Sequence, residues 1–296
     1  MRALMCIPNI SEGRDLQVVE QVVEAVRAVE GVKFLDVSSD ADHNRSVLSY
    51  LGEPERVLEA SQAMAAKALA TIDMRQHQGS HPRLGAVDVV PFVPVRGVEM
   101  EEAVAVARQF GRFVGRLGVP VYYYEEAAAR PERVRLPDIR SGEYEGLAEK
   151  LKDPDWQPDE GPAIFNPRSG GLVTGARFPL VAFNVNLRTT DLDLARRIAR
   201  AVRYISGGYR YVRAMGVALQ EQGMVQVSMN VINYTKTPLP RVLETIRAEA
   251  ARYGVNVAGS ELIGAVPLGV LEQVLAYYVQ AHDFRTEQIV EMALLE

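Results

Sequence analysis

A chain of 296 residues, 48% of them hydrophobic, is long enough for a packed core in two domains or one large one. Its formal net charge of −5 argues against a general nucleic-acid binder, while a local basic groove for a small anion stays open. One cysteine excludes an internal disulfide framework, no apolar run approaches the ~18 residues of a membrane helix, and residues 1–13 turn polar too soon for a signal peptide; a soluble, cytoplasmic protein without membrane or nucleic-acid partners is expected.

Residues 2–8 predict a first strand, with Cys6 in its apolar run as a core thiol. Asp15 then predicts the cap of a helix whose Val19, Val22, Val23 and Val26 recur at helical spacing. Strands are predicted at 32–38 and 45–52, on either side of a turn-rich stretch. Pro54 suits the first turn of a second helix, which places Val57, Met64, Ala68 and Ile72 on one face. A strand at 85–93, a helix at 99–116 and a strand at 119–124 follow. From Glu125 to about Arg177 the periodicity fades into proline, glycine and charge, a composition typical of functional loops or linkers.

The second half repeats the theme. A strand is predicted at 179–187, a helix at 190–205, and a hairpin of 212–220 and 224–232 turning at Glu221–Gly223. A helix at 239–253, a strand at 255–263 and a last helix opened by Pro267 complete it, with Leu271, Val274, Leu275 and Tyr278 in line. The expected fold is α/β of the α+β type. It has two ferredoxin-like βαββαβ subdomains, 1–178 and 179–296, each a mainly antiparallel sheet with helices on one face.

In the strand "PLVAFNVNL" one face is apolar and the other carries Asn184 and Asn186; in "MVQVSMNVI" the second face carries Gln226, Ser228 and Asn230. Uncharged amides and hydroxyls donate and accept at once, which suits a cleft for a heterocycle with amide edges as well as it suits plain surface.

"RQHQGSHPRLGAVDVVPFVPV", residues 75–95, sets His77 and His81 four apart. A metal pair at that spacing needs a continuous helical turn, which Gly79 and Pro82 oppose, and no further ligand clusters nearby, so no metal is expected. Two uses remain, polar loop histidines or a general acid–base histidine beside a strand. Asp88, on an otherwise apolar strand, should be paired, with a histidine, an arginine or in a plain salt bridge. Arg45 and Arg83 are candidate forks for carboxylates, and Asn9 and Glu12 for capping the next helix or for ligand contact.

The stretches "CIPNISEG", "IDMRQHQGSHPRLGAVDVVPFVPVRGV", "RSGEYEGL", "DWQPDEGPAIFNPRSG" and "VAFNVNL" resemble the glutamate formimidoyltransferase family, which includes the formiminotransferase part of formiminotransferase–cyclodeaminase. The resemblance covers nearly the whole chain. It implies two α/β subdomains whose sheets face one another across a cleft or tunnel with helices outside, a homodimer, and transfer of a formimino group from N-formimino-L-glutamate to N5 of tetrahydrofolate. It implies that His81 is the catalytic histidine. It also places the folate-binding segment on Gly161, Pro162, Ala163, Ile164, Phe165, Asn166, Pro167, Arg168, Ser169 and Gly170, with Arg168 a candidate for the folate's glutamate tail. Since Ser38 and Glu261 depart from the bifunctional members, formyl transfer between 5-formyltetrahydrofolate and glutamate stays open, as does a non-catalytic folate-binding module.

Overall fold

The computed structural model describes residues 2–264 and 266–294. The chain divides into two compact units, one ending at Arg177 and the other beginning at Phe178.

In the first unit, β1 (Ala3–Cys6) and β2 (Asn9–Ile10) are two halves of one line of chain interrupted at Pro8. Helix α1 (Leu16–Arg27) begins where Asp15 accepts from the backbone N–H groups of Gln17 and Val18, and it buries the four valines of its stripe. Strands β3 (Val32–Asp40) and β4 (Arg45–Gly52) form an antiparallel pair. Then come α2 (Pro54–Thr71), with proline in its first turn, β5 (Val87–Arg96), α3 (Met100–Arg116) and β6 (Val121–Glu125). Both β1 and β2 lie between β4 and β5. The order β3–β4–β1/β2–β5 is that of a ferredoxin-like sheet, and all of its pairs are antiparallel.

Residues 125–177 hold more structure than their periodicity suggested. They form α4 (Leu136–Ile139), α5 (Glu143–Lys150) and β7 (Leu172–Ala176). Strand β7 inserts between β5 and β6, parallel to both, and extends the sheet. Along β6 the side chains alternate: Val121 and Tyr123 join the large core under the three long helices, while Tyr122 and Tyr124 join a second core. That second core holds Leu84, Val89, Val173, Ile139, Leu147 and Leu151. Helices therefore cover both faces of this end of the sheet, a correction to the expectation of one covered face. Short elements escape periodicity because α4 has barely one turn and β7 is buried on both faces, so neither shows a polar side.

The second unit runs β8 (Val181–Leu187), α6 (Leu192–Val202), β9 (Val212–Leu219), β10 (Met224–Val231), α7 (Leu239–Ala251), β11 (Val257–Ile263) and α8 (Leu268–Val274). Its sheet order, β11–β8–β10–β9, is again ferredoxin-like and wholly antiparallel. Val181, Phe183, Val185 and Leu187 pack with Val225, Val227, Met229 and Val231 against Leu194, Ile198, Val242 and Ile246 of the helices. Two related α+β subdomains are thus present. The last helix is shorter than its stripe, α8 giving way at Leu275 to a single π-helical turn.

Candidate active site

After α2 the chain runs from Ile72 to β5 without regular structure, and close contacts on both sides hold it. At Gly79 a Cβ would lie 2.2 Å from the His43 carbonyl oxygen, so the loop presses against the β3–β4 turn with no room for a side chain. Asn44, left-handed at φ 48°, clamps the two together. Its Oδ1 accepts from Gly13 N at 3.0 Å, and its Nδ2 donates to the Gln78 carbonyl at 3.0 Å. On the other side a Cβ at Gly85 would lie 2.2 Å from the Gly171 carbonyl oxygen. The Ala86 N–H donates to Ser169 O at 2.8 Å, Gly171 N–H to Leu84 O at 3.0 Å and Met74 N–H to Arg168 O at 2.9 Å. The end of the Gly161–Gly170 segment is therefore stitched to the loop that carries the histidines.

His77 and His81 differ in what is left of them. His77 donates from Nε2 to the Asn44 carbonyl at 2.9 Å and accepts Arg83 Nε at Nδ1, 3.3 Å away. Both nitrogens are occupied, the ring is a brace, and burial lowers its pKa. His81 Nε2 faces Arg45 Nη1 at 2.6 Å. A guanidinium only donates, so Nε2 carries the lone pair and the proton sits on Nδ1. His43, itself paired through Nδ1 with Asp40 at 2.7 Å, stands edge-on to the His81 ring at 5.9 Å. Burial, then the charges of Arg45, Arg140 and His43, push His81 down to about 4. At neutral pH it is an unprotonated imidazole whose Nε2 lone pair is engaged by Arg45.

The two candidate arginines separate as clearly. Arg83 is only 7% exposed and is held by Glu145 at 2.6 and 2.8 Å and by Glu143 at 3.0 Å. With Gln78, Gly79 and Gly142 these residues line an open depression of about 450 Å³ whose charges already satisfy one another. Arg45 makes no ion pair among the described residues, and its Nε is buried without a hydrogen-bond partner. Burial and the nearby Arg140 lower its pKa. Asp88 is fully buried, accepts from Leu84 N at 2.9 Å and pairs bidentately with Arg140. It anchors an arginine and does not touch His81. The sequence signal for Arg140 was Asp88 itself, since a buried carboxylate demands a cation.

Glu12 Oε1 accepts from the N–H groups of Gly13, Arg14 and Asp15 at 2.9–3.0 Å, so its carboxylate organises the entry to α1. Asn9 lies in β2 opposite Val47 and Val89, and its Nδ2 donates to Ile7 O at 3.4 Å. Within Gly161–Gly170, Asn166 Oδ1 accepts from the N–H groups of Arg168 and Ser169. Arg168 donates to the Ala70 carbonyl at 2.6 Å, in the last turn of α2. Phe165 leans on Tyr144 at 5.4 Å and Ile164 is 70% exposed, an apolar edge beside a polar turn. In the second unit Asn186 and Gln226 are buried and joined to Glu261: Asn186 Nδ2 donates to Oε1 at 2.8 Å, and Gln226 Nε2 to Asn186 Oδ1 at 2.8 Å and to Oε2 at 3.1 Å. Asn184 accepts from Met229 N at 3.3 Å.

Among the described residues no cluster of three or more His, Cys, Asp or Glu is placed to hold a metal ion, and no helix is long and apolar enough to cross a membrane. Cys6 is buried in the core with its pKa pushed up by burial to about 11, which removes it as a nucleophile.

Comparison with known proteins matches this chain to a family. The formiminotransferase domain's N-terminal subdomain matches residues 3–177, and the formiminotransferase domain matches residues 182–295. A glutamate formimidoyltransferase of Streptococcus pyogenes is 46% identical over 98% of both chains. One of Thermoplasma acidophilum is 44% identical over 98% of this chain and 97% of its own. The formimidoyltransferase-cyclodeaminase of Rattus norvegicus is 45% identical over 92% of this chain, which spans 52% of that longer protein. The chain belongs to the formiminotransferase family, whose members are transferases.

Proposed function

We propose that the chain transfers the formimino group of N-formimino-L-glutamate to N5 of tetrahydrofolate, with His81 as general acid–base. The observation that carries this reading is the state of His81: a neutral imidazole in a braced loop, its Nε2 lone pair facing an arginine that makes no ion pair among the described residues. The N5 lone pair attacks the amidine carbon, and the N5 proton passes to His81 Nε2 as the tetrahedral intermediate forms. His81 then gives that proton to the glutamate nitrogen as its bond to carbon breaks, leaving 5-formiminotetrahydrofolate and L-glutamate. Proton and imidazole both return to their starting state, so the step needs no covalent nucleophile and no redox partner.

Gly161–Gly170 forms one wall of the folate site in this reading. Its support is that Ser169 holds Ala86, five residues past His81, and that the segment offers an exposed apolar edge beside a backbone turn. Asn184 and Asn186 remain candidates for folate contacts, though Asn186 is already committed to Gln226 and Glu261. The homodimer implied by the resemblance goes with this reading, and sedimentation tests it. The activity itself is tested by supplying tetrahydrofolate with formiminoglutamate, and 5-formyltetrahydrofolate with glutamate, in parallel and in the presence of a chelator. Turnover of the first pair, undiminished by chelation, is expected; turnover of the second pair alone would replace this reading with formyl transfer.

A further inference from the structure

Arg140 and His43, both beside His81, each have a carboxylate at contact distance, and Arg45 makes no such ion pair among the described residues. Arg140, following α4, is held by Asp88 of β5. His43, in the β3–β4 turn, is held by Asp40 of β3. Arg45, at the start of β4, spends Nη1 on His81 and leaves Nε buried without a hydrogen-bond partner. An unpaired guanidinium lying on the lone pair of the proposed base is a contradiction in a resting active site, because the base cannot take a proton from anything while Arg45 donates to it. A guanidinium with an orphaned N–H inside a protein also calls for an anion.

Resting on the proposed role of His81, we propose that Arg45 is a substrate-operated gate: in the free protein its Nη1 covers His81 Nε2, and the α-carboxylate of the glutamate moiety, binding to the guanidinium, draws it off the ring and opens Nε2 to the reacting nitrogens. The α-carboxylate is the fitting anion because only the α-carbon separates it from the nitrogen that must leave. A carboxylate received by an arginine in hydrogen-bond contact with His81 brings that nitrogen within reach of the same ring. The folate's own glutamate is separated from N5 by an aminobenzoyl group and cannot deliver a carboxylate there while N5 reacts. The same event sets a negative charge against Arg45, whose own charge is, after burial, the next cause holding the ring's pKa down. The gate thus couples occupancy to basicity: His81 becomes a competent base only when the donor is in place.

The test is the titration of His81 in the full-length protein by NMR of histidine-labelled samples, with a His81→Gln variant to assign its signal among the four histidines. Without ligand His81 should titrate near the value of about 4. Saturating L-glutamate should raise it by about one unit or more, a tenfold gain in proton affinity. L-Glutamine, which keeps the α-carboxylate, should do the same, whereas 4-aminobutyrate, which lacks it, should not. Arg45→Gln should start from a raised value and show no response to glutamate. If glutamate perturbs other signals of the wild type but leaves His81 where it was, the gate is wrong and the proposed reaction stands. If glutamate binds nowhere and formiminoglutamate is not turned over, both fall. Should Arg45→Gln fail to fold, the wild-type titration decides alone: a rise with glutamate upholds the gate, and no rise overturns it.

Discussion

Arg45 and Arg83 look alike in the sequence, each an arginine close to a histidine or to the strand that follows one, yet the structure spends them differently. Arg83 is saturated by two glutamates of α5 and braces His77, while Arg45 makes no ion pair among the described residues and keeps a buried Nε without a hydrogen-bond partner. Asp88 and Arg140 show the same economy in a buried setting, where a pair holds only as long as both members are present. Arg140→Ala should therefore cost about 3–5 kcal/mol of stability, the usual consequence of stranding one buried charge. Burial already pushes Asp88 up, and without Arg140 it would rise further. The native state of the variant would then bind a proton more tightly than the unfolded chain does. Its deficit should consequently shrink as pH falls through the raised pKa of Asp88 toward that of an unfolded aspartate, the opposite of ordinary acid destabilisation. Urea denaturation of both proteins at pH 7 and pH 5 checks this; a deficit that grows in acid would contradict it.

At the scale of the element, the site depends on a loop with no regular structure that is nonetheless fixed. Gly79 and Gly85 do the fixing, because a Cβ at either would meet backbone oxygen at 2.2 Å. Gly79→Ala should push His77–His81 away from the β3–β4 turn, destabilise the fold by about 1–3 kcal/mol, within the range of such backbone effects, and reduce turnover along with it. Thermal unfolding and an activity assay on the same sample measure the two together, and an alanine that leaves both untouched would show the loop to be loose. Much of the fold was legible from periodicity: the capped α1, the stripe of α2, the β9–β10 hairpin and both βαββαβ orders follow from spacing and turn residues. What escaped were elements whose surroundings are apolar on every side, β7 above all, and contacts made by residues distant in sequence. Arg140 and Glu145 reach the site from 125–177, a stretch whose local pattern carries no sign of which strand it will cover. His77 and His81 could be told from a metal pair by Gly79 and Pro82, but their different hydrogen-bond partners lie more than thirty residues away, at Asn44 and Arg45.

At the scale of the whole molecule, two ferredoxin-like units carry separate cores, and every charged group discussed around His81 lies in the first. The second holds a knot in which the buried Asn186 and Gln226 bond to Glu261, on the sheet face away from its core. A chain cut after Arg177 should therefore keep a single cooperative unfolding transition, because its helices and sheet bury their apolar faces on each other. Circular dichroism during denaturation tests that, and a gradual, non-cooperative loss of signal would mean the first unit has no core of its own.

The central claim is that one imidazole moves the proton in formimino transfer, and the most direct measurement of it is the turnover of His81→Ala beside that of His77→Ala, both with reduced-folate binding measured. His81→Ala should bind reduced folate and lose roughly 10²–10⁴-fold in turnover, the usual worth of a positioned acid–base group, while His77→Ala, missing only a brace, should lose far less. Equal turnover by the two variants would contradict the assignment of His81.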